Sequence, residues 1–190
     1  MKQNSDQRST SEIRLYPVDR ADGLTVCLGA HAYEEIYDIY SQSALGTPFL
    51  LLCGIRTAEE WQRGLSLCHR CICELYGDKR EINGYLPRGL MIDTPRILTS
   101  DTRFWGCDFF CMDYEHLSQC SAEGRKQLDG RIRAFLQAHG ETEPRLLCRS
   151  FFDEELGRFS EDCHIREMYL SEALLPAARH IFHSLCKKEK

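Results

Sequence analysis

The sequence predicts an α/β (or α+β) protein with a mixed or partly parallel central sheet covered by about four helices. Strand-like and helix-like segments alternate along most of the 190 residues, as in sheets with helices packed on them. Two strand-like segments, 49–53 and 103–114, are apolar on both faces, which is typical of strands buried between layers. The length suits one core, so we expect a disordered tail over 1–12 and a single globular α/β domain over 13–190.

The first half of the chain contains two predicted strands and two predicted helices. Residues 24–28 form the first strand, and residues 31–43 form an amphipathic helix whose tyrosines recur at helical spacing. Residues 49–53 form the second strand. Thr57 and Glu60 have the spacing of a capping box and predict the start of a helix that ends at Gly77.

The second half continues this alternation. Apolar patterns predict strands over 89–92, 103–114 and 145–148, and a helix over 121–139. A last helix is predicted to have Pro176 in its first turn. The acidic stretch 153–162 is predicted to be a loop.

Charge and hydropathy exclude several classes of partner. The formal net charge is −5, which opposes non-specific nucleic-acid binding because such binding needs clustered cations. The longest strongly apolar run, 48–55, is far shorter than the roughly 20 residues of a membrane helix. The polar N-terminus has no signal-peptide pattern, so we expect a cytoplasmic protein without a membrane partner.

Eleven cysteines are the most unusual feature of the composition. An odd number cannot pair completely within one chain, and a protein without an export signal normally keeps its thiols reduced. We therefore expect a cysteine-rich protein with free thiols, most of them buried as small apolar residues.

A zinc site is one alternative use of these cysteines. Cys68 and Cys71 lie about 60° apart on a helix, and Cys107 and Cys111 share one face of a predicted strand, so these four thiols provide a tetrahedral set. Nothing in their spacing requires convergence. The sequence therefore predicts no cofactor, with zinc as the alternative.

A catalytic site is a second alternative. Cys53 ends an apolar strand just before a capped helix, a position where a thiol can become nucleophilic. Asp108 is the one charge within a strongly apolar run, and His164 is a candidate base. If the protein is an enzyme, these three residues are the predicted catalytic group.

The leading prediction is a small interaction or regulatory protein that binds a macromolecular partner, as an inhibitor or modulator. Phosphate-binding loops, dinucleotide fingerprints, esterase elbows and zinc-protease motifs are all missing from the sequence. Two acidic patches suit a protein partner with a basic surface, and they comprise Glu34, Glu35 and Asp38, and Asp153, Glu154 and Glu155. The alternatives are a small cytosolic enzyme with a cysteine and aspartate site at the carboxyl ends of the strands, and a zinc-stabilised adaptor.

Overall fold

The structure is a computed structural model that describes residues 13–42, 49–77, 86–99, 102–121 and 124–188. The strands are β1 (Arg14–Pro17), β2 (Thr25–Cys27), β3 (Leu50–Cys53), β4 (Arg88–Ile92), β5 (Phe109–Asp113), β6 (Glu143–Cys148) and β7 (Glu167–Leu170). The α-helices are α1 (Asp19–Asp22), α2 (Ala32–Gln42), α3 (Ala58–Tyr76), α4 (Tyr114–Cys120), α5 (Arg125–Ala138), α6 (Glu154–Asp162) and α7 (Leu175–Lys188).

All seven strands belong to one curled parallel sheet in the order β1-β7-β6-β5-β4-β3-β2. Each strand pairs in parallel with its neighbours, so every carboxyl end lies at the same edge. The α/β prediction with helices around a central sheet is confirmed. The expected number of about four helices is too low, since the described part of the chain contains seven.

The sheet separates two apolar clusters. The inner cluster lies on the concave face and includes two large aromatic residues, Phe49 and Phe109, whose rings meet edge to face with centroids 5.4 Å apart. Its other buried members come from most of the strands and from α1, and they are Val18, Ala21, Leu51, Cys53, Met91, Cys111, Leu147 and Tyr169. Burial on both faces explains why β3 is apolar at every position and why most residues of β5 are apolar.

The outer cluster lies between the sheet and the helices. The Thr57 hydroxyl accepts a hydrogen bond from the Glu60 amide at 3.1 Å and caps α3, as the capping-box spacing predicts. Gly77 ends this helix with a φ of 65°, a left-handed conformation that glycine tolerates best. Trp61, Cys68 and Cys71 form the buried side of α3. The predicted apolar stripe is therefore present.

The short helix α1 occupies the opening of the curled sheet. Strands β1 and β2 are the two edges, and only seven residues connect them, 18–24. Val18 and Ala21 from this connection are buried in the inner cluster. The connection thereby covers part of the inner cluster, and it brings Asp22 to Arg149 at the carboxyl edge of the sheet.

Three local predictions require correction or lie outside the described residues. The predicted strand over 103–114 begins only at Phe109, because Gly106 adopts a φ of 77° and leaves Trp105 72% exposed. The acidic stretch 153–162 is the helix α6, capped by the Asp153 side chain, which accepts from the Leu156 amide at 2.8 Å. The predicted tail over 1–12 lies outside the described residues.

Candidate active site

Three ionisable residues lie at the carboxyl edge of the sheet, at the ends of three neighbouring strands. Asp113 ends β5, and Asp93 follows β4 immediately after the registered pair Ile92 and Met112. Arg149 directly follows β6, two residues beyond Leu147, which is the registered partner of Asp113. The carboxyl edge of parallel sheets and barrels is where ligands usually bind, because the loops there are free to vary.

Arg149 links two carboxylates from different elements. Its Nη1 lies 2.9 Å from Asp113 Oδ2, and its Nη2 lies 2.7 Å from Asp22 Oδ1 in α1. Asp113 is nearly buried, with 11% of its side chain exposed, whereas the Asp22 side chain is 46% exposed. The contact with Asp113 is therefore protected from solvent, and the contact with Asp22 is open to it.

Glu115 fixes the backbone that carries Arg149. Its Oε2 accepts from the amides of Arg149 and Ser150 at 3.2 and 3.0 Å, and its Oε1 accepts from the Ser150 hydroxyl at 2.6 Å. The Ser150 hydroxyl is the main reason that the pKa of Glu115 is lowered. Glu115 thus stays ionised and holds the turn after β6 in place.

Asp93 is held by a weaker contact than the other carboxylates at this edge. Its Oδ2 accepts a long hydrogen bond, 3.4 Å, from the amide of Gly54. Its Oδ1 is buried and has no hydrogen-bond partner within the described ranges. A buried carboxylate oxygen without a donor is costly, so Asp93 is suited to receive a hydrogen bond or a proton from a bound molecule. Asp22, Asp93, Asp113, Glu115 and Arg149 are called the rim site below.

Cys53 also lies at this edge, but as half of a disulfide. It is bonded to Cys27, its registered partner at the end of β2, and the two Cα atoms are 4.8 Å apart. The expectation of free thiols therefore does not hold for this pair, because the sheet register places the two cysteines side by side. A bonded Cys53 cannot act as the predicted nucleophile until the disulfide is reduced.

The other predicted catalytic residues lie at the opposite edge. Asp108 precedes β5, and its Oδ2 accepts from the Arg88 amide at 2.7 Å at the start of β4. His164 lies between α6 and β7, with a φ of 56°. Because all the strands are parallel, the length of the sheet separates these two residues from Cys53, and the three do not form one site.

The four cysteines of the zinc alternative do not converge either. Cys68 and Cys71 are buried in the outer cluster, where Cys107 also packs, whereas Cys111 belongs to the inner cluster. Cys107 and Cys111 therefore do not share one strand face, because β5 begins only at Phe109. Across the described ranges, no group of three His, Cys, Asp or Glu residues is arranged to hold a metal ion.

The second acidic patch is largely neutralised by arginines. Arg125 binds both carboxylate oxygens of Asp153 at 2.6 and 2.7 Å and approaches Glu155 at 3.4 Å. Glu154 pairs with Arg158 at 2.6 Å. Helix α6 therefore presents paired charges to solvent, which removes the reason to expect a basic partner there.

The first acidic patch has a simpler setting. Glu34, Glu35 and Asp38 are exposed on α2 and face away from the buried Ile36 and Tyr40. Charged residues opposite an apolar stripe are the ordinary outer face of an amphipathic helix.

A second charged group, buried near the amino ends of the strands, was missed by the sequence analysis. The Arg145 guanidinium lies 3.8 Å from the centroid of the Phe109 ring and 3.1 Å from Glu167 Oε2. Arg145 and Glu167 are 8% and 9% exposed. This buried pair of opposite charges is a structural feature of the inner face. Its only sequence signal is an arginine within the strand-like run 145–148.

None of the helices in the described ranges combines the length and apolar composition that a bilayer span requires.

No protein-family model matches the sequence, and no curated protein matches it significantly. The comparisons with solved structures are therefore the ones that bear on this chain.

The solved structures that share the fold include a citrate lyase and a citrate synthase. A citrate lyase from Burkholderia xenovorans LB400 matches with a TM-score of 0.61 and 14% identity over 83% of this chain and 56% of that one. The citrate synthase SbnG and a variant of it match with TM-scores of 0.53 and 0.52, at 13% and 11% identity, over 94% of this chain and 92% of theirs. The chain thus spans little more than half of the citrate lyase.

These comparisons correct the leading functional prediction. At such low identity the likeness shows the fold alone, yet the proteins with this fold named above are enzymes. The prediction of a regulatory protein that binds a macromolecular partner is therefore wrong. The alternative of a small enzyme with a site at the carboxyl ends of the strands is better supported.

Proposed function

We propose that this protein is an enzyme that binds a small carboxylate at the rim site and transfers a proton to or from it. The observation that carries the proposal is the position of Arg149. Its guanidinium stands at the carboxyl edge of the sheet between a nearly buried carboxylate, Asp113, and a half-exposed one, Asp22. Citrate lyase and citrate synthase, which share the fold, act on a small carboxylate according to their names.

Arg149 can exchange Asp22 for a ligand. Exposed ion pairs contribute roughly 0–1 kcal/mol, so a ligand carboxylate can displace Asp22 from Nη2 at little cost. Asp113 remains on Nη1 and keeps the guanidinium in place. A planar guanidinium with one free edge binds a carboxylate in a defined orientation.

Asp93 is the proposed general base. It directly follows β4, the strand that pairs with the Asp113 strand β5, so a ligand held by Arg149 would come close to both carboxylates. Its buried Oδ1 is without a donor in the described part of the chain, which makes it ready to accept a proton. Asp113 is less suited to this role, since it caps α4 through the His116 amide and also binds Arg149.

Calorimetric titration with citrate tests the binding step. Arg149→Ala should weaken binding by more than about tenfold, because a charge-assisted contact is lost. Asp22→Asn should strengthen binding by up to about fivefold, because the competing pair is worth no more than about 1 kcal/mol. Arg133→Ala is the matched control, since Arg133 pairs with Asp162 at 3.1 Å with similar exposure but on the outer surface.

Proton NMR in deuterium oxide tests the chemical step. Loss of the methylene signals of citrate reports either cleavage or proton exchange. Asp93→Asn should abolish this loss while leaving the citrate affinity nearly unchanged, because the residue acts on the reaction and not on binding. If neither citrate nor succinate binds the wild-type protein, or if Arg149→Ala and Arg133→Ala behave alike, the proposal is refuted.

A further inference from the structure

Cys27 and Cys53 occupy a distinctive place among the cysteines. They are the last residues of two registered strands, and they form a disulfide between the edge strand β2 and its neighbour β3. Eight other cysteines in the described ranges are free thiols. Because one pair is bonded among so many free thiols, we attribute the bond to the register of β2 and β3 and not to general oxidation of the protein.

We propose that Cys27 and Cys53 form a reversible thiol–disulfide modification site, which reacts with thiols of the glutathione class and controls the attachment of β2 to the sheet. Cys27 is exposed, whereas Cys53 is 6% exposed and packs in the inner cluster. An external thiolate therefore reaches the pair through Cys27. Because one sulfur of the disulfide is exposed and the other is buried, the exposed sulfur is attacked and the buried sulfur leaves.

The reaction balances with two external thiols. The first thiolate attacks Sγ of Cys27, forms a mixed disulfide there and releases Cys53 as a thiolate, which takes up a proton. The second thiolate attacks the external sulfur of the mixed disulfide and releases Cys27, which is protonated in turn. The protein disulfide becomes two thiols, and the two external thiols become one external disulfide.

The buried free thiols are less suited to this exchange. Burial raises the pKa of Cys68 to about 11 and the pKa values of Cys107 and Cys111 to about 12. Since the thiolate is the reactive form, these groups exchange slowly in the folded protein. Cys73 is exposed on α3 and serves as a matched free thiol.

The bond matters for β2 because this strand has few other attachments. It contains three residues, 25–27, and among the described strands it pairs with β3 alone. An edge strand of this length is readily released from a sheet. The disulfide therefore determines whether the end of β2 stays beside β3.

The bond also adjoins the rim site. Gly54 follows Cys53 with a φ of 71°, and its amide donates the hydrogen bond that Asp93 Oδ2 accepts. Reduction frees the segment that positions this amide. That regulatory consequence rests on the proposed function, whereas the exchange reaction and the release of β2 do not.

The primary experiment uses the full chain without ligand. The protein is equilibrated in glutathione and glutathione disulfide mixtures, alkylated, and analysed by peptide mass spectrometry. Cys27 and Cys53 should lose alkylation together in oxidising mixtures and regain it together in reducing mixtures. Cys73 should stay alkylated throughout. Amide hydrogen exchange over residues 25–27 should be at least about tenfold faster in the reduced protein.

Two variants complete the test. Cys27→Ser should show the fast exchange of β2 in every mixture, whereas Cys73→Ser should behave like the wild type. The proposal is overturned if the pair never oxidises in the folded protein, or if residues 25–27 exchange equally fast in both states. Wild-type protein suffices for that decision, even if Cys27→Ser fails to fold.

Citrate titration of both redox states then examines the link to the rim site. A change of affinity on reduction supports the regulatory consequence. Failure of citrate to bind either state refutes the proposed function but leaves the redox result intact. Equal affinity in both states refutes the link alone.

Discussion

Gly89→Ala is the sharpest test of the inner face of the sheet. A Cβ at Gly89 would lie 2.7 Å from Cδ2 of Phe109 and closer still to Cε2 and Cζ. The ring cannot move away easily, because the Arg145 guanidinium covers it at 3.8 Å and Phe49 meets it edge to face. Real contacts of this kind are near 3.5–4.0 Å, so the ring or strand β4 must shift.

The expected cost follows from two opposing effects. Overpacking of a core costs roughly 1–3 kcal/mol, and we take the upper value because the ring is held on two sides. Replacing glycine by alanine within a strand recovers about 0.5–1 kcal/mol. The net destabilisation is about 2 kcal/mol, which lowers the melting temperature of a protein of this size by about 4–8 °C.

Urea unfolding followed by tryptophan fluorescence measures this change. Gly130→Ala is the matched control, because Gly130 lies within α5 with open space around its Cβ position, and it should be stabilised by about 0.5–1 kcal/mol. In a Phe109→Leu background the cost of Gly89→Ala should fall by at least about 1 kcal/mol. If Gly89→Ala is neutral or stabilising in the wild-type background, Phe109 does not pack on β4 and our description of the inner cluster is wrong.

Two further predictions concern the dependence of stability on pH. Hydrogen bonding to Ser150 lowers the pKa of Glu115 in the folded state, so this contact stabilises the protein above the unfolded pKa of about 4.3 and is lost as the pH falls through the folded pKa. Ser150→Ala should therefore lower the free energy of unfolding by no more than about 1 kcal/mol at pH 7, with no difference in acid, and an equal deficit at both pH values would contradict this. Burial raises the pKa of Asp129, whose carboxylate accepts from the Tyr114 hydroxyl at 2.6 Å, so stability is lost as the pH rises through the folded pKa. Asp129→Asn should remove that loss and be at least as stable as the wild type in urea at pH 7; a large destabilisation there would mean that the charged form is required.

Local signals in the sequence were sufficient for much of the fold. Segments apolar on both faces predicted buried strands, and β3 and β5 are buried along their whole length. The capping box at Thr57 predicted the start of α3, because the hydroxyl and amide that meet there are only three residues apart. The same approach missed α6, since its acidic composition concealed a buried side that includes Leu156 and Phe159.

The candidate site depended on contacts that no local pattern contains. Asp113 and Arg149 are 36 residues apart in the chain, and Arg149 and Asp22 are 127 apart. Cys53 and Asp108 were both singled out by the sequence analysis, yet they lie at opposite edges of the parallel sheet. The direction of each strand decides which edge a residue occupies, and direction follows from the connections between strands.

The sequence by itself determined the alternation of strands and helices, because burial and capping act over a few residues. Only the tertiary structure decided that Cys27 meets Cys53, that Arg145 is buried with Glu167, and that Asp93 and Asp113 both follow the registered pair Ile92 and Met112. The physical reason is strand register. Register is set by how all seven strands pair and curl together, and a shift of one residue would turn each of these side chains to the other face of the sheet.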